Sequence, residues 1–327
     1  MKRFVVIGMG SIASRHRKNL KLLFPDAEIV GISSSGRSDV SSEENIDIVL
    51  KEVTELAGLD IEMAIVASPA PFHANHAIPL INMGIPTLIE KPVAMTSADC
   101  NRLIGAQEET GTPVVVGYCL RYLPAAPKIH DLINNGFIGE LYNAHFEVGQ
   151  YLPDWRPSKF YKDSVSAVPE LGGGALLELS HEFDFALWVF NDLDVGYSVL
   201  RKSKELELKV EDMVDVIASS SNGALVSIHL DMLQLKAHRN YRFTGSKGSI
   251  EWDLLANKVI FTNRSSSRLI HYDEVWDSNC MYIDMLNDFL NLINGDDNRC
   301  VNLGSATRTL KFIDQVKQKA NSFGLTL

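Results

Sequence analysis

Gly8-Met9-Gly10-Ser11-Ile12-Ala13 follows an apolar run, Phe4 to Ile7, and opens a segment of helical period. Gly8 suits a sharp turn, Gly10 lets the backbone approach a ligand closely, and Ala13 is small enough for a helix to pack on a strand. Free N–H groups at the positive end of that helix would face an anion. The chemistry implied is pyrophosphate binding, with Gly8, Gly10, Ser11 and Ile12 as the cradle for a dinucleotide. The plain alternative is a glycine-rich strand-to-helix turn, and the surrounding βαβ pattern favours the dinucleotide.

About twenty residues beyond such a loop, a chain that binds NAD usually offers an acid to the ribose 2′-hydroxyl. Ser33 holds that place here, followed by Ser34, Ser35, Gly36 and Arg37. Hydroxyls and a guanidinium accept the 2′-phosphate that a carboxylate would repel. NADP(H) is therefore expected in preference to NAD(H), which stays open as the alternative.

The elements that must position these residues alternate short apolar runs with helix-period segments over the first 120 residues, as in a parallel sheet built of βαβ units. Strands are expected over 4–7, 29–32, 63–67, 86–89 and 114–117, and helices over 12–23, 43–50, 72–83 and 97–109. Gly84 and Gly111 stand as helix C-caps, and Thr96 and Ser97 offer N-cap oxygens. After about residue 122 the pattern changes. One long helix, 175–190, precedes strands over 196–202, 213–219, 224–230, 241–244, 249–252 and 258–262; a further strand, 142–148, comes before it. Strands in succession without helices imply an open antiparallel sheet, with Asn222-Gly223 as a hairpin turn. Helices return over 281–293 and 305–320. Two domains are expected, 1–120 and 121–327.

The 327-residue chain is 46% hydrophobic and 22% charged, an ordinary globular composition. A net charge of −10, from 41 acidic and 31 basic residues, excludes the electrostatic footprint of a nucleic-acid or anionic-membrane partner. Cys100, Cys119, Cys280 and Cys300 are too scattered for a disulfide framework or a zinc site, and no acid or cysteine completes a metal set around His73 and His76, so no metal is expected. No uninterrupted apolar stretch of about 18 residues is present, and the apolar run after Met1-Lys2-Arg3 is too short for a signal peptide. The expected compartment is the cytoplasm.

The segments Gly8 to His16, Ser68-Pro69-Ala70-Pro71-Phe72-His73, Glu90-Lys91-Pro92, Gly117 to Tyr122, and Gly172-Gly173-Gly174 leading to Glu178 and His181 resemble the glucose-fructose oxidoreductase, inositol dehydrogenase and MocA family. The resemblance spans nearly the whole chain. It implies an α/β fold: an N-terminal Rossmann doubly wound parallel sheet, then an α/β domain whose large, mostly antiparallel open sheet often forms an oligomer interface. A homodimer or homotetramer follows. The implied activity is NAD(P)-dependent hydride transfer at a CH–OH group of a sugar, cyclitol or nucleotide-linked sugar.

Lys91 matches the family's catalytic lysine. At a strand's carboxyl end its ammonium can hydrogen-bond both a substrate oxygen and the nicotinamide ribose. Hydride transfer also needs a proton exchanged at the carbinol oxygen, and His181 suits that task. The i, i+3 spacing on the expected helix puts Glu178 on the face of His181. The family more often has an aspartate four residues before the histidine, which leaves open whether Glu178 orients His181 or binds a hydroxyl. By the same resemblance Ser68, Pro69, His73 and Glu90 lie on the cofactor side, Arg121 contacts cofactor or substrate, and Tyr118 faces the substrate. Trp155-Arg156, in the aromatic stretch Tyr151 to Tyr161, reads as a substrate-side loop, its rings suited to sugar C–H surfaces and its guanidinium to a carboxylate or phosphate. Two alternatives stay open: an enzyme that returns its cofactor unchanged after elimination or hydrolysis, and a silent dinucleotide-binding sensor.

Overall fold

The computed structural model describes residues 1–35, 43–157 and 159–322. By contact the chain divides into two compact units, Met1–Cys119 with Asn279–Leu310, and Leu120–Ser278 with the residues from Lys311 on. The sequence reading kept the whole of 121–327 together; residues 279–310 belong instead to the first unit.

The first unit runs β1 (Arg3–Ile7), α1 (Ser11–Leu23), β2 (Glu28–Ile32), β3 (Ile48–Leu50), β4 (Met63–Val66), α2 (His73–Asn82), β5 (Thr87–Ile89), α3 (Ser97–Thr110) and β6 (Val114–Val116). The strands form one six-stranded sheet in the order β3-β2-β1-β4-β5-β6. Every pairing is parallel. All of Met63–Val66 and Phe4–Ile7 is buried, as strands covered on both faces require. The Thr96 hydroxyl caps α3 by accepting from the Asp99 N–H, and Gly111 closes the helix in the left-handed conformation. The expected helix over 43–50 is absent: Ile48–Leu50 is a strand on the edge of the sheet. Ile46, Ile48 and Val49 are β-branched, and Asp47 is fastened to β2 through both its backbone N–H and its carboxylate, so tertiary pairing overrides a short helical pattern.

The second unit begins with α4 (Ala126–Asn134) and β7 (Leu141–Gly149), then α5 (Ala175–Glu178) and α6 (His181–Phe190). The strands β8 (Leu193–Arg201), β9 (Met213–Ser220), β10 (Leu225–Asp231), β11 (His238–Gly245), β12 (Gly248–Asp253), β13 (Lys258–Thr262) and β14 (Ser267–Tyr272) follow. Eight strands lie in the order β14-β13-β12-β11-β7-β10-β9-β8, antiparallel except for β7 beside β10. Asn222-Gly223 forms the β9–β10 turn, with the Asn222 side-chain oxygen accepting from the Ala224 N–H. The edge strand β14 escaped the sequence reading because its residues are exposed or half-buried without alternation. Phe185 of α6 packs on Phe146, Tyr241 and Trp252 of the sheet, with ring centroids 6.4, 5.2 and 5.5 Å apart.

The long helix expected over 175–190 is broken. Leu179, at φ −100° and ψ 27°, ends α5, and α6 restarts at His181. Glu178 and His181 therefore do not share one continuous helix face. The chain closes with α7 (Cys280–Asn294) and α8 (Leu303–Ser322). Among the described residues no helix is long and apolar enough to cross a membrane.

Candidate active site

In the first unit the strand order reverses between β1 and β4, and the glycine loop stands at that switch point. The Gly8 N–H donates to the Ile32 carbonyl at 2.8 Å. At φ +119° only glycine is at ease there, and a Cβ would collide with the Ala67 carbonyl. Gly10 differs: a Cβ on it would meet nothing within 4 Å. It precedes α1 with no side-chain cap and no acid in the first turn, and Gly10 and Ser11 are exposed. An open, uncapped, electropositive helix start is what a pyrophosphate requires, so these residues fit a dinucleotide.

Behind the loop lie two buried charged groups. Arg17, fully buried, donates to the Gly8 carbonyl at 3.2 Å and to Glu43 at 3.0 Å, and so ties the loop to the segment beyond β2. Burial pulls its pKa down, with Glu43 opposing. His16 Nε2 donates to Glu90 Oε1 at 2.7 Å, and the other Glu90 oxygen accepts the Lys91 N–H at 3.2 Å. The Lys91–Pro92 peptide is cis. His73 is buried with its ring nitrogens 2.9 Å from the Pro92 carbonyl and 2.7 Å from the Ser68 carbonyl, and burial pushes its pKa down. It lies between the ends of β4 and β5, and as a neutral imidazole it donates to one of the two carbonyls. From Thr87 to Ala94 every residue is buried except Lys91.

In the second unit the run from Gly172 to Leu187 is buried except for Glu178 and His181. The start of this run is held by Glu211, which accepts the Leu176 N–H at 3.2 Å and fills the space where a Cβ on Gly174, at φ +108°, would stand. Burial raises the Glu211 pKa. The first turn of α6 is held from two sides. Glu182 accepts from Arg239 Nε at 2.7 Å and from the Tyr241 hydroxyl at 3.0 Å; Asp184 takes a bidentate fork from Arg121 at 2.8 and 2.6 Å. Both carboxylates also complement the helix dipole. Anchors that differ on either side of Leu179 explain the helix break: α5 follows Glu211, whereas α6 follows Arg239 and Arg121.

Residues 2–118 match the model of an oxidoreductase family with an NAD-binding Rossmann fold, and residues 127–251 match the GFO/IDH/MocA C-terminal domain. The chain belongs to the Gfo/Idh/MocA family of oxidoreductases. It is 23% identical over 271 residues to the inositol 2-dehydrogenase of Salmonella typhimurium, covering 78% of this chain and 75% of that one. It is 26% identical over 260 residues to the 1,5-anhydro-D-fructose reductase of Ensifer adhaerens, covering 76% and 75%. A levoglucosan dehydrogenase solved in complex with NADH and levoglucosan shares the fold at a TM-score of 0.84 and 17% identity, over 98% of this chain and 97% of that one.

Within this Gfo/Idh/MocA chain the residues picked out by sequence occupy distinct settings. Ser33 is buried and Ser34 half-buried at the end of β2, and the Ser33 hydroxyl lies 3.2 Å from that of Ser35. Arg37 lies outside the described residues. Ser68 is buried with its hydroxyl 3.0 Å from His76, Pro69 is half-buried, and Tyr118 is buried. The Arg121 guanidinium is engaged by Asp184 and lies 5.2 Å from the Trp188 ring, and Trp155 and Arg156 are half-buried in one recess. Sequence reasoning passed over Arg17, Glu182, Asp184 and Glu211. Two acids inside the strongly apolar stretch His181–Phe190 were the available signal, because a buried carboxylate requires a partner.

Proposed function

We propose that this family member transfers a hydride between NADP(H) and a carbinol or carbonyl carbon of a sugar, cyclitol or nucleotide-linked sugar. The observation that carries the reading is the pattern of burial: Lys91 is the one residue of 87–94 that is half-buried rather than buried, and Glu178 and His181 are the two of 172–187. Polar groups left part-open in otherwise buried runs suit work on a ligand. The substrates named for the relatives, inositol, anhydrofructose and levoglucosan, are polyhydroxylated rings, which supports that class here.

Gly8, Gly10, Ser11 and Ile12 would hold the cofactor's phosphates, with Ser33 and Ser34 at the ribose end and Ser68, Pro69 and Glu90 along its length. When bound, the nicotinamide supplies or accepts the hydride. Lys91 hydrogen-bonds the carbinol oxygen and favours negative charge developing there. His181 takes that oxygen's proton on oxidation and returns it on reduction. Glu178 orients His181 or holds a neighbouring hydroxyl, and Tyr118 contributes to the substrate side. Asp184, Arg121, Glu182 and Arg239 keep the start of α6 in place. The cytoplasm, where free nicotinamide dinucleotides are abundant, is the compartment this reading favours. A homodimer or homotetramer formed through the outer face of the eight-stranded sheet, where Tyr197 and Leu225 are exposed, completes the reading.

A cofactor-reduction screen over sugars, cyclitols and amino sugars tests it. Net change in reduced nicotinamide is expected with at least one of them, lowered about 10²-fold by Lys91→Ala and by His181→Ala, with cofactor binding retained in His181→Ala. Substrate consumption without net cofactor change would replace it with the redox-neutral alternative. Cofactor binding without turnover of any substrate would leave a sensor.

A further inference from the structure

We propose that His16 and Glu90 form a strut between α1 and the segment that carries Lys91, and that Glu90 is a positioning residue which sets Lys91 relative to the cofactor-binding helix. The effect on turnover rests on the dehydrogenase reading above; the strut itself rests on the following geometry.

His16 lies fully buried in the second turn of α1. Its Nε2 donates to Glu90 Oε1 at 2.7 Å. Its Nδ1 is buried as well and meets no hydrogen-bond partner among the described residues, so the ring directs its hydrogen bonding at Glu90 alone. Packing does not explain an imidazole with an unpaired buried nitrogen, since an apolar side chain would fill the same space without that cost. Glu90, directly after β5, turns both oxygens to protein: Oε1 to His16 and Oε2 to the Lys91 N–H at 3.2 Å. Gly117, directly after β6, leaves room for the carboxyl group, because a Cβ there would stand 3.1 Å from both oxygens. What Glu90 contributes to a cofactor it therefore contributes through Lys91.

The strut is braced by the C-terminal segment that joins the first unit. Asn279, ahead of α7, exchanges side-chain hydrogen bonds with Asn19 of α1 at 2.8 and 3.2 Å. The Tyr282 ring stands edge-on to His16 with centroids 6.2 Å apart, and the Arg15 guanidinium lies 4.6 Å from the centre of the same ring. Arg17 fastens α1 to the Gly8 carbonyl at 3.2 Å. One helix thus carries the proposed phosphate cradle at its start and the hold on Lys91 about one turn further on. A cofactor bound at the first and an ammonium governed by the second share a single rigid reference, which keeps the reacting groups within the narrow geometry that hydride transfer demands.

The test has one arm without turnover and one with it, both on the full chain. A glutamate followed by a lysine occurs once in the sequence, at Glu90-Lys91, so carbonyl-13C glutamate with 15N lysine marks the Lys91 amide alone in NMR. Its hydrogen exchange is measured with NADPH or NADH bound, whichever binds more tightly, in the wild type, His16→Leu, His16→Asn and His16→Gln. Melting temperature and cofactor affinity are checked for each. Exchange is expected to be about 10-fold faster in His16→Leu and in His16→Asn, whose amide falls short of Glu90, and to be partly restored in His16→Gln, which reaches it. In the second arm, on a substrate found by the cofactor screen, His16→Leu lowers kcat about 10-fold with cofactor affinity nearly unchanged, and raises the isotope effect from reduced cofactor deuterated at C4. In a Lys91→Ala background the same substitution removes little more, because both act through one ammonium. Should His16→Leu fail to fold, His16→Asn carries the same comparisons. Lys91 exchange indifferent to residue 16 overturns the strut, and full additivity of the two substitutions, as general structural damage would give, overturns the positioning role. Exchange that depends on His16 without turnover of any sugar leaves the strut standing and sinks the dehydrogenase reading. Turnover with indifferent exchange does the reverse.

Discussion

In the first unit the groups proposed to meet a dinucleotide are backbone N–H groups at Gly10, Ser11 and Ile12; in the second the groups proposed to meet a substrate are the side chains of Glu178 and His181. The demands on sequence differ accordingly. A backbone site needs particular dihedral angles and empty space, which fall on Gly8 and Gly10, while its other side chains need only stay out of the way. A side-chain site needs partners that hold its scaffold, and these partners are buried charges drawn from distant strands. The first kind of site is compact in sequence, and the second is dispersed.

The sharpest way to break that contrast is to remove a buried partner. Asp184→Ala leaves the Arg121 guanidinium, 8% exposed, without its carboxylate, and is expected to lower stability by about 4 kcal/mol in urea unfolding. Replacing both residues, Arg121→Met with Asp184→Leu, should restore most of the loss, because an apolar pair does not carry the desolvation cost. The double variant then also examines Arg121 on the cofactor. Stability regained with NADP(H) affinity unchanged confines Arg121 to positioning α6, whereas affinity lost at regained stability restores the cofactor contact. A loss below about 1 kcal/mol in Asp184→Ala would show that the ion pair does not hold the segment.

The glycine loop provides the converse. Gly8→Ala combines an unfavourable positive φ with a Cβ driven into the Ala67 carbonyl, and should cost about 3 kcal/mol in thermal or urea unfolding. Gly10→Ala has an ordinary φ of −78° and open space, so its stability should match the wild type while its NADP(H) affinity falls. Normal cofactor binding by Gly10→Ala would remove the loop from the cofactor site.

The same contrast explains how much was legible before the fold was known. The glycine loop, the β1–β2 unit and the capping of α3 depend on residues close in sequence, and local pattern suffices for them. The break at Leu179 does not. The apolar period of 175–190 runs on through it, and what divides the helix are Arg121 and Arg239, 63 and 57 residues away from their partners in α6. Strand β3 was lost for a similar reason, since its few residues become a strand only by pairing with β2. The identity of Lys91 and His181 as candidates came through resemblance, while the buried runs that leave them part-exposed emerge only in three dimensions.

A smaller effect is expected from the outer face of the second sheet. His229 on β10 sits 2.7 Å from Asp215 of β9 and 3.1 Å from Asp231 of its own strand, with Glu147 of β7 opposite in register. Hydrogen bonds to Asp215 and Asp231 raise its pKa to about 10, against burial. A folded-state pKa above the unfolded value means the stabilisation is fully present below about pH 6.5 and is lost as pH rises toward about 10. Its size should be on the order of 2 kcal/mol, discounted because Asp215 is half exposed. Urea unfolding across that range should fall with pH in the wild type and stay flatter in His229→Gln. Parallel curves for the two would sink the assignment.

The smallest effect sharpens the comparison at the one place where the first unit is expected to read its ligand with side chains. Ser33 ends β2, is buried, and places its hydroxyl 3.2 Å from that of Ser35, so two neutral hydroxyls occupy the position where an acid would bind an unmodified ribose. Nothing acidic at Ser33, Ser34 or Ser35 repels a 2′-phosphate, and tighter binding of NADP(H) than of NAD(H) is expected. Ser33→Asp introduces a carboxylate that accepts from a 2′-hydroxyl and repels a phosphate, so it should shift the ratio of the two affinities about 10-fold toward NAD(H), about 1.4 kcal/mol. On the proposed reading the phosphates are held by backbone, so the variant should still bind a dinucleotide. Titration of both cofactors by fluorescence separates the outcomes: equal or tighter NAD(H) binding by the unmodified chain defeats the preference. Loss of both cofactors in Ser33→Asp would instead mean that this side chain supports the cradle itself, and that the division between backbone and side-chain recognition does not hold even within the first unit.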